Sequence, residues 1–496
     1  MDTETGVLVV GSGIAGCSAA IRAAERGADV TVVTEATSPD DTSTGWAQGG
    51  VARRAPDEDA AEFVDDVLDA GAGEGDEDAV ETLVREGSRA VEEFLVDEVG
   101  VEFDENGDGY DLAREGGHSR NRVLHHGDAT GRAVQRALLR RLGESDARVL
   151  EGHTAVELIG DEEGVDGALV VSPDGEAFVV GAGATVLATG GIGDVYGRTT
   201  NPEGATGDGV ATAALTGARV EDAEYVQFHP TAHADRGFLL SEALRGEGAL
   251  LVDEDGNRFI PERHEDGELA PRDVVATAVH ETNRDGQAYL DLSPVIENTD
   301  FANEFPTAYE NLTDEEFETG RVPVAPSEHF LCGGVAVDEY GRASVDRLYA
   351  VGETARTGVH GANRLASTSL LEGLTWGLRA GEHTAENAPE PRSVDRKPDA
   401  FNGNMPDGFV DAKFDRLQEV MWEKVGPVRN EEGLTEARAE LQRLRGEVKS
   451  YARGRLDPEL YALRNAVVVG LLIVEAALEN DETVGCHRRV ETAGAE

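Results

Sequence analysis

The 496-residue chain is poor in cysteine, in lysine and in long apolar runs. Its three cysteines, Cys17, Cys332 and Cys486, lie far apart and none stands in a C-x-x-C pair. Neither a disulfide framework nor a zinc or iron-sulfur site is therefore indicated, no metal is expected, and a reduced cytoplasmic setting follows. Lysine occurs only at Lys397, Lys413, Lys424 and Lys449, so nearly all of the 44 basic residues are arginine, set against 98 acids for a net charge of -54. No basic stripe is present to neutralise phosphates, which argues against nucleic acid as a partner. The longest apolar run, Ala466 to Val474, is too short to span a bilayer and ends at Glu475, so no membrane partner is expected. GVLVVGSGIAG follows acids where a signal peptide needs a cationic segment, so no signal peptide is expected either.

The acids are scattered between periodic apolar segments and form no single polar tail, which predicts a solvated acidic surface. An acid-rich, lysine-poor surface is what a high-salt, halophilic cytoplasm would select. The length exceeds what one core usually serves and predicts two or three domains.

Residues 7 to 35 read as a strand (Val7 to Val10), a glycine turn, an alanine-rich helix and a second strand (Val30 to Val33) closed by Glu35. This is a βαβ unit. Gly11, Gly13 and Gly16 fit G-x-G-x-x-G, in which the first permits the tight turn, the second lets backbone approach a pyrophosphate and the third lets helix and strand pack closely. Glu35 falls where a carboxylate accepts a ribose hydroxyl, so a dinucleotide site is expected.

ATVLATGG (184–191) and RLYAVGE (347–353) read as strands returning to the same sheet. Between them, hairpin signals such as DEDGNRF and helix starts such as APRDVV predict an inserted domain. After a proline-rich linker, three amphipathic helices carry apolar stripes at Val410, Phe414, Leu417 and Met421, then Leu434, Leu441, Leu444 and Val448, then Leu460, Leu463 and Val467. The expected architecture is α/β. A discontinuous Rossmann-type domain spans 1–223 and 330–387, an inserted α+β capping domain 224–329, a linker 388–404 and a three-helix C-terminal domain 405–496.

TSTGWAQGG (42–50), EGGHSRNRVLHHGDATG (115–131), QFHPT (227–231), LLSEALRGEGA (239–249), ELAPRDVVA (268–276), HFLCGG (329–334), HGANRLASTSLLEG (360–373) and MWEKVGPVR (421–429) span the chain. In these motifs the sequence resembles the flavoprotein family of succinate dehydrogenase, fumarate reductase and L-aspartate oxidase. The resemblance implies one FAD per chain. It places Ser12, Gly13, Ala15 and Gly16 at the pyrophosphate, Ser43, Thr44, Ala47, Gln48, Gly49 and Gly50 along the flavin, and Asp208 against the cofactor. Glu353 ends a strand where its carboxylate can hold a ribityl hydroxyl. Ser369 and Leu370 open a helix whose positive end would face the flavin pyrimidine and stabilise the reduced anion. Ser43 stands where membrane-bound succinate dehydrogenases carry the histidine that attaches FAD covalently, so non-covalent FAD is implied.

A C4 dicarboxylate needs cationic donors when enclosed, and arginine meets carboxylates bidentately while keeping its charge. The resemblance maps Arg272, Arg364, His229, Ser241 and His329 onto dicarboxylate-binding positions, and Glu242 with Arg245 onto a proton path ending at Arg272. It also makes Glu115 the reader of a substrate amine, which favours the aspartate-oxidising branch: L-aspartate to iminosuccinate, reoxidation by O2 or fumarate, and quinolinate synthase as the consumer in NAD biosynthesis. The alternative is a soluble fumarate reductase or succinate dehydrogenase flavoprotein. Glu115 opens a cationic stretch with Arg114, His118, Arg120, Arg122, His125 and His126, expected to balance acids near the anion-receiving site. Asp128 is expected to cap the helix that follows.

Overall fold

The computed structural model describes residues 3–55, 57–107, 109–161, 163–392, 405–452 and 456–491. Among these, β1 (Thr3–Val10), helix α1 (Ile14–Glu25) and β2 (Val30–Thr34) form the expected βαβ unit. Helix α2 (Ala60–Ala70) and helix α3 (Thr130–Gly143) precede β3 (Arg148–Glu151), and an antiparallel meander follows in β4 (Thr154–Asp161), β5 (Gly164–Val171) and β6 (Ala177–Leu187). The sheet runs β3-β2-β1-β6-β5-β4, with β1 parallel to both β2 and β6. The second half of β1, Val7 to Val10, is continuous Val and Leu because both faces of the sheet are covered there. Gly11 has φ +108° and passes so close to the end of β6 that a Cβ would lie 2.1 Å from the Ala188 carbonyl oxygen. Only glycine holds that crossing.

The chain continues through helix α4 (Asp208–Leu215), β7 (Val226–His233), the short helix α5 (Glu242–Gly246), β8 (Leu250–Val252), helix α6 (Arg272–Asp285), β9 (Tyr289–Asp291) and β10 (Arg321–Leu331). These strands make a second sheet, β7-β10-β9-β8, antiparallel throughout. Its core of Leu251, Val275, Val279, Leu290, Val322 and Val324 is separate from that of the first sheet. The boundary expected between residues 329 and 330 falls inside a strand. β10 continues to Leu331, opposite Val226, because its ladder with β7, despite register shifts at Gln227/Phe228 and His229/Ala232, extends to that pair.

β11 (Leu348–Ala350) returns to the first sheet beside β6, as RLYAVGE predicted, and leads to helix α7 (Ser369–Asn387). Gly377 and Gly381 of α7 press on α1, where a Cβ would lie 2.5 and 2.4 Å from the Ala15 and Ala19 carbonyl oxygens. Most of the expected linker, 393–404, lies outside the described residues. Helices α8 (Phe409–Val425), α9 (Glu431–Ala452) and α10 (Pro458–Glu479) follow, and their three apolar stripes form one core with Tyr196 and Phe228. α10 is long and apolar enough to cross a membrane, with a mean hydropathy of 1.7 over its best window, but 72% of that window is buried inside the protein. The run from Ala466 to Val474 thus fills the bundle.

Candidate active site

A cavity of about 730 Å³ extends from the glycine turn after β1 to Glu115, Arg272 and Arg364. At the near end it is lined by Gly11, Ser12, Gly13, Ala15 and Glu35. Gly13 is the N-cap of α1, and a Cβ there would meet only Thr44 Oγ1, at 3.2 Å. Gly16, expected at the pyrophosphate, is not on the wall. It sits one turn into α1, where a Cβ would lie 2.1 Å from the Gly11 carbonyl oxygen, so it packs the turn instead. Ser43, Thr44, Ala47, Gln48, Gly49 and Gly50 form the next stretch of wall, with Asp208, Glu353, Ser369 and Leu370 facing them. The Ser43 hydroxyl donates to Asn201 Oδ1 at 3.2 Å.

Glu353 accepts the Leu331 N–H at 3.0 Å, and burial, then the neighbouring Glu328 charge, pushes its carboxyl up to about 8. Near neutral pH it is therefore mostly the neutral acid, able both to donate and to accept at a hydroxyl. Glu328, which no sequence signal marked, is fully buried and accepts from Thr199 Oγ1 (2.7 Å) and Asn201 Nδ2 (2.8 Å). Burial raises it to about 7.

At the far end Arg272, the first residue of α6, donates from Nε to Glu242 Oε2 at 2.7 Å and from Nη1 to Gln227 Oε1 at 3.1 Å. Arg364 donates from Nε to the same Gln227 oxygen at 3.4 Å and from Nη1 to Ser369 Oγ at 2.5 Å, and lies 4.5 Å over the Phe330 ring. Burial, then the Arg272 charge, lowers Arg364 to about 10. His229 on β7 and His329 on β10 stand 5.1 Å apart, edge to face. Burial and the Arg272 charge hold both imidazoles well below their ordinary range, so both are neutral. The Thr231 N–H donates to His229 Nδ1 at 3.3 Å, which places the ring proton on Nε2, and that buried nitrogen has no partner. His229 is thus a donor aimed at a missing acceptor. His329 Nδ1 shares a 2.6 Å hydrogen bond with Thr200 Oγ1, and Ser241 lines the wall at the start of α5.

Arg245 lies behind Glu242, off the cavity wall, at 3.4 Å, and donates to the Glu268 carbonyl. Burial acts to raise Glu242, but Arg272 and Arg245 outweigh it and hold the carboxylate below its ordinary value. Glu115 Oε2 accepts from Ser367 Oγ at 2.6 Å, while Oε1 sits so near Gly49 that a Cβ there would be 2.4 Å away. Ser367 holds this bond from a left-handed backbone, φ +57°.

Residues 6–370 match the FAD binding domain family and residues 414–494 the fumarate reductase flavoprotein C-term family. An L-aspartate oxidase from Halobacterium salinarum is 56% identical, covering 100% of this chain and 98% of its own. One from Mycobacterium tuberculosis is 41% identical, covering 98% and 92%. A solved structure of an E. coli quinol fumarate reductase aligns with a TM-score of 0.88 at 25% identity, covering 100% of this chain and 92% of that one. The chain belongs to the L-aspartate oxidase family.

The cavity fits the cofactor of such flavoproteins. Gly13 puts no side chain into the cavity at the N-terminus of α1, where a pyrophosphate would find free amides, and Ser369 and Leu370, the first residues of the 19-residue α7, lie on the wall.

The arginines of the cationic stretch after Glu115 balance acids, as expected, but away from the cavity wall. Arg122 is fully buried, paired with Glu58 and with Asp66 of α2, and lies 4.5 Å over the Phe63 ring. Arg120 pairs with Glu62, His125 Nδ1 stands 3.2 Å from Asp104, and His118 bridges Arg122 and the Ala366 carbonyl. Glu115 lines the cavity, whereas His118, Arg120, Arg122, His125 and His126 do not. The charges of Arg120 and Arg122 are taken by local acids, while burial lowers His118 to about 4 and leaves it neutral. Asp128 does not cap α3 either; it accepts the Thr307 N–H at 2.7 Å, tying this loop to the capping domain.

Sequence reasoning also missed Gln227, although it opens QFHPT. Its amide oxygen is shared by both arginines, and its Nε2 donates to Asn363 Oδ1 (2.6 Å) and the Arg364 carbonyl (2.8 Å). Asn363 Oδ1 also receives Cys486 Sγ at 3.3 Å, so TVGCHRR in the tail reaches the layer behind the site. Replacing Gln227 with Leu leaves guanidinium donors unpaired, at a cost of about 1–3 kcal/mol. The expected result is a fall in kcat/KM of about 10- to 100-fold with FAD content unchanged, read by steady-state kinetics on the FAD-loaded protein.

Proposed function

We propose that the protein oxidises L-aspartate to iminosuccinate with FAD as its bound, non-covalent redox group and fumarate or O2 as electron acceptor, opening de novo NAD biosynthesis. One observation carries the choice of substrate: beside Arg272, Arg364, His229 and His329 the cavity wall holds the carboxylate of Glu115, whose hydrogen bond comes from the neutral Ser367, whereas the neighbouring carboxylate of Glu242 is taken by Arg272. A plain dicarboxylate gains nothing from Glu115, whereas an amino-dicarboxylate finds an acceptor for its ammonium.

Arg364 and Arg272 clamp the two substrate carboxylates, and the unpaired His229 Nε2–H donates to one of them. FAD, when bound, supplies the two-electron acceptor for the hydride equivalent leaving the substrate. The accompanying proton passes to Arg272 as its guanidinium releases the Nε proton to the Glu242 carboxylate, so its charge is unchanged, with Arg245 behind Glu242 on the way out. A guanidinium gives up its proton reluctantly, so the clamp and the relay are two parts of one role. Iminosuccinate is unstable in water, which makes quinolinate synthase the expected consumer. The acid-rich, lysine-poor surface and the resemblance to a protein of a halophile support a cytoplasm of high salt as the setting.

The test is to purify the chain alone, denature it in acid and measure the flavin released, then add L-aspartate to the intact protein without oxygen. Complete release and bleaching of the flavin by aspartate are expected. Bleaching by succinate but not aspartate would overturn the proposal in favour of a fumarate reductase or succinate dehydrogenase flavoprotein.

A further inference from the structure

A second cavity, about 450 Å³, opens where helices α4, α9 and α10 meet β4, outside the active site. Leu158, Val448, Val467 and Val468 give it a buried apolar floor, and half-exposed Leu215 stands at its lip. Arg445 and Lys449, one turn apart on the same side of α9, stand at its rim and form no ion pair among the described residues. Like charges at this spacing repel. The acids of α9 do not relieve them, because Glu436, Glu440 and Glu447 are taken by Lys424, Arg416 and Lys413 of α8. Two surplus cations beside an apolar hollow stand out in a chain with four lysines and a net charge of -54.

The inner wall carries a third cation, Arg464, 4.4 Å over the Tyr461 ring. It donates to Asn465 Oδ1 from Nε (3.0 Å) and Nη2 (2.9 Å), and to the Val156 carbonyl at 3.0 Å. Asn465 in turn donates from Nδ2 to Asp208 Oδ1 at 2.7 Å, and Asp208 lines the cofactor cavity.

We propose that this cavity is a binding site for a small amphipathic anion, an apolar body with one acidic head, and that its occupancy is felt at the cofactor through Arg464, Asn465 and Asp208. The apolar body displaces water from the valine and leucine floor, and the head neutralises Arg445 and Lys449. Glu157 lines the β4 side of the same cavity. An anion that draws on Arg464 competes with the amide that holds Asp208.

The probe is 8-anilinonaphthalene-1-sulfonate, with its uncharged relative N-phenyl-1-naphthylamine as control, titrated by fluorescence into the FAD-loaded full chain. Saturable binding of one equivalent is expected, at least tenfold tighter for the anion. It should weaken at least tenfold in Arg445→Glu with Lys449→Glu, whose surface positions leave folding and FAD content intact, and in Val468→Trp, which fills the hollow. Equal dye binding by wild type and the double variant would overturn the site. FAD retention on ultrafiltration should change at least threefold with saturating dye in wild type but not in Asn465→Ala. No change in wild type would overturn the coupling. The dye titration does not rest on the aspartate oxidation proposed above, so the two can fail separately.

Discussion

Replacing Arg272 with Lys is expected to stop turnover while leaving dicarboxylate binding recognisable. Arg272 meets Glu242 through Nε and Gln227 through Nη1, which leaves the rest of a planar fork for the substrate. An ammonium is a point charge on a flexible stem and cannot face a carboxylate bidentately while holding Glu242. Arg364 is untouched, so one substrate carboxylate keeps its partner. Loss of both the positioned donor and the proton outlet is worth about 10²- to 10⁴-fold in rate. The measurement is single-turnover flavin bleaching by L-aspartate without oxygen, alongside fumarate binding read from the flavin absorbance. The rate should fall about a thousandfold, and the fumarate dissociation constant should rise no more than about tenfold. Near-normal bleaching would sink the relay through Glu242 and Arg245.

The second large effect is Glu115→Gln. Glutamine keeps the shape of the residue, and its carbonyl oxygen can still accept from Ser367, so the protein should fold and load FAD normally. What disappears is a charge-assisted bond to the substrate ammonium, worth about 1.5–3 kcal/mol and so roughly 10- to 100-fold in affinity for aspartate. Fumarate and succinate carry no ammonium and should be bound almost as before. Equal losses for all three would refute the role. The same residue predicts a pH signature. Burial, then the Glu242 charge, raises the Glu115 carboxyl above its ordinary value, with Ser367, Arg272 and Arg364 pulling back in part. The ammonium needs the charged form, so kcat/KM for aspartate should fall as pH drops through this raised value. That limb should be absent for fumarate reduction and absent from Glu115→Gln.

The cofactor end was legible in the sequence because its determinants are local. Gly11, Gly13 and the buried Val7 to Val10 run lie within ten residues of one another, and strand, turn and helix each leave a period or a glycine. Where tertiary partners decide, the sequence was mute. Gln227 has no signature as a side chain, and its partners Asn363 and Arg364 are more than 130 residues away. Arg122 drew attention as part of a charge cluster. Its function is set by Glu58 and by Asp66 of α2, acids that a count along residues 113 to 128 cannot see. The extent of β10 was hidden for a related reason: HFLCGG reads as a site motif, yet the ladder with β7 carries the strand into its first three residues.

The burial of Arg122 bears on the conditions the acidic surface suggests. In molar salt the Debye length shrinks to about 3 Å, and exposed pairs such as Arg85 with Glu81 or Arg89 with Glu93 contribute almost nothing. Arg122 and Glu58 have no solvent-exposed side-chain surface, so mobile ions cannot come between them. The loop that carries Glu115 is thus anchored by an interaction that ionic strength scarcely reaches. Aspartate discrimination is expected to hold constant across a range of salinity over which the protein's outer charges are progressively masked.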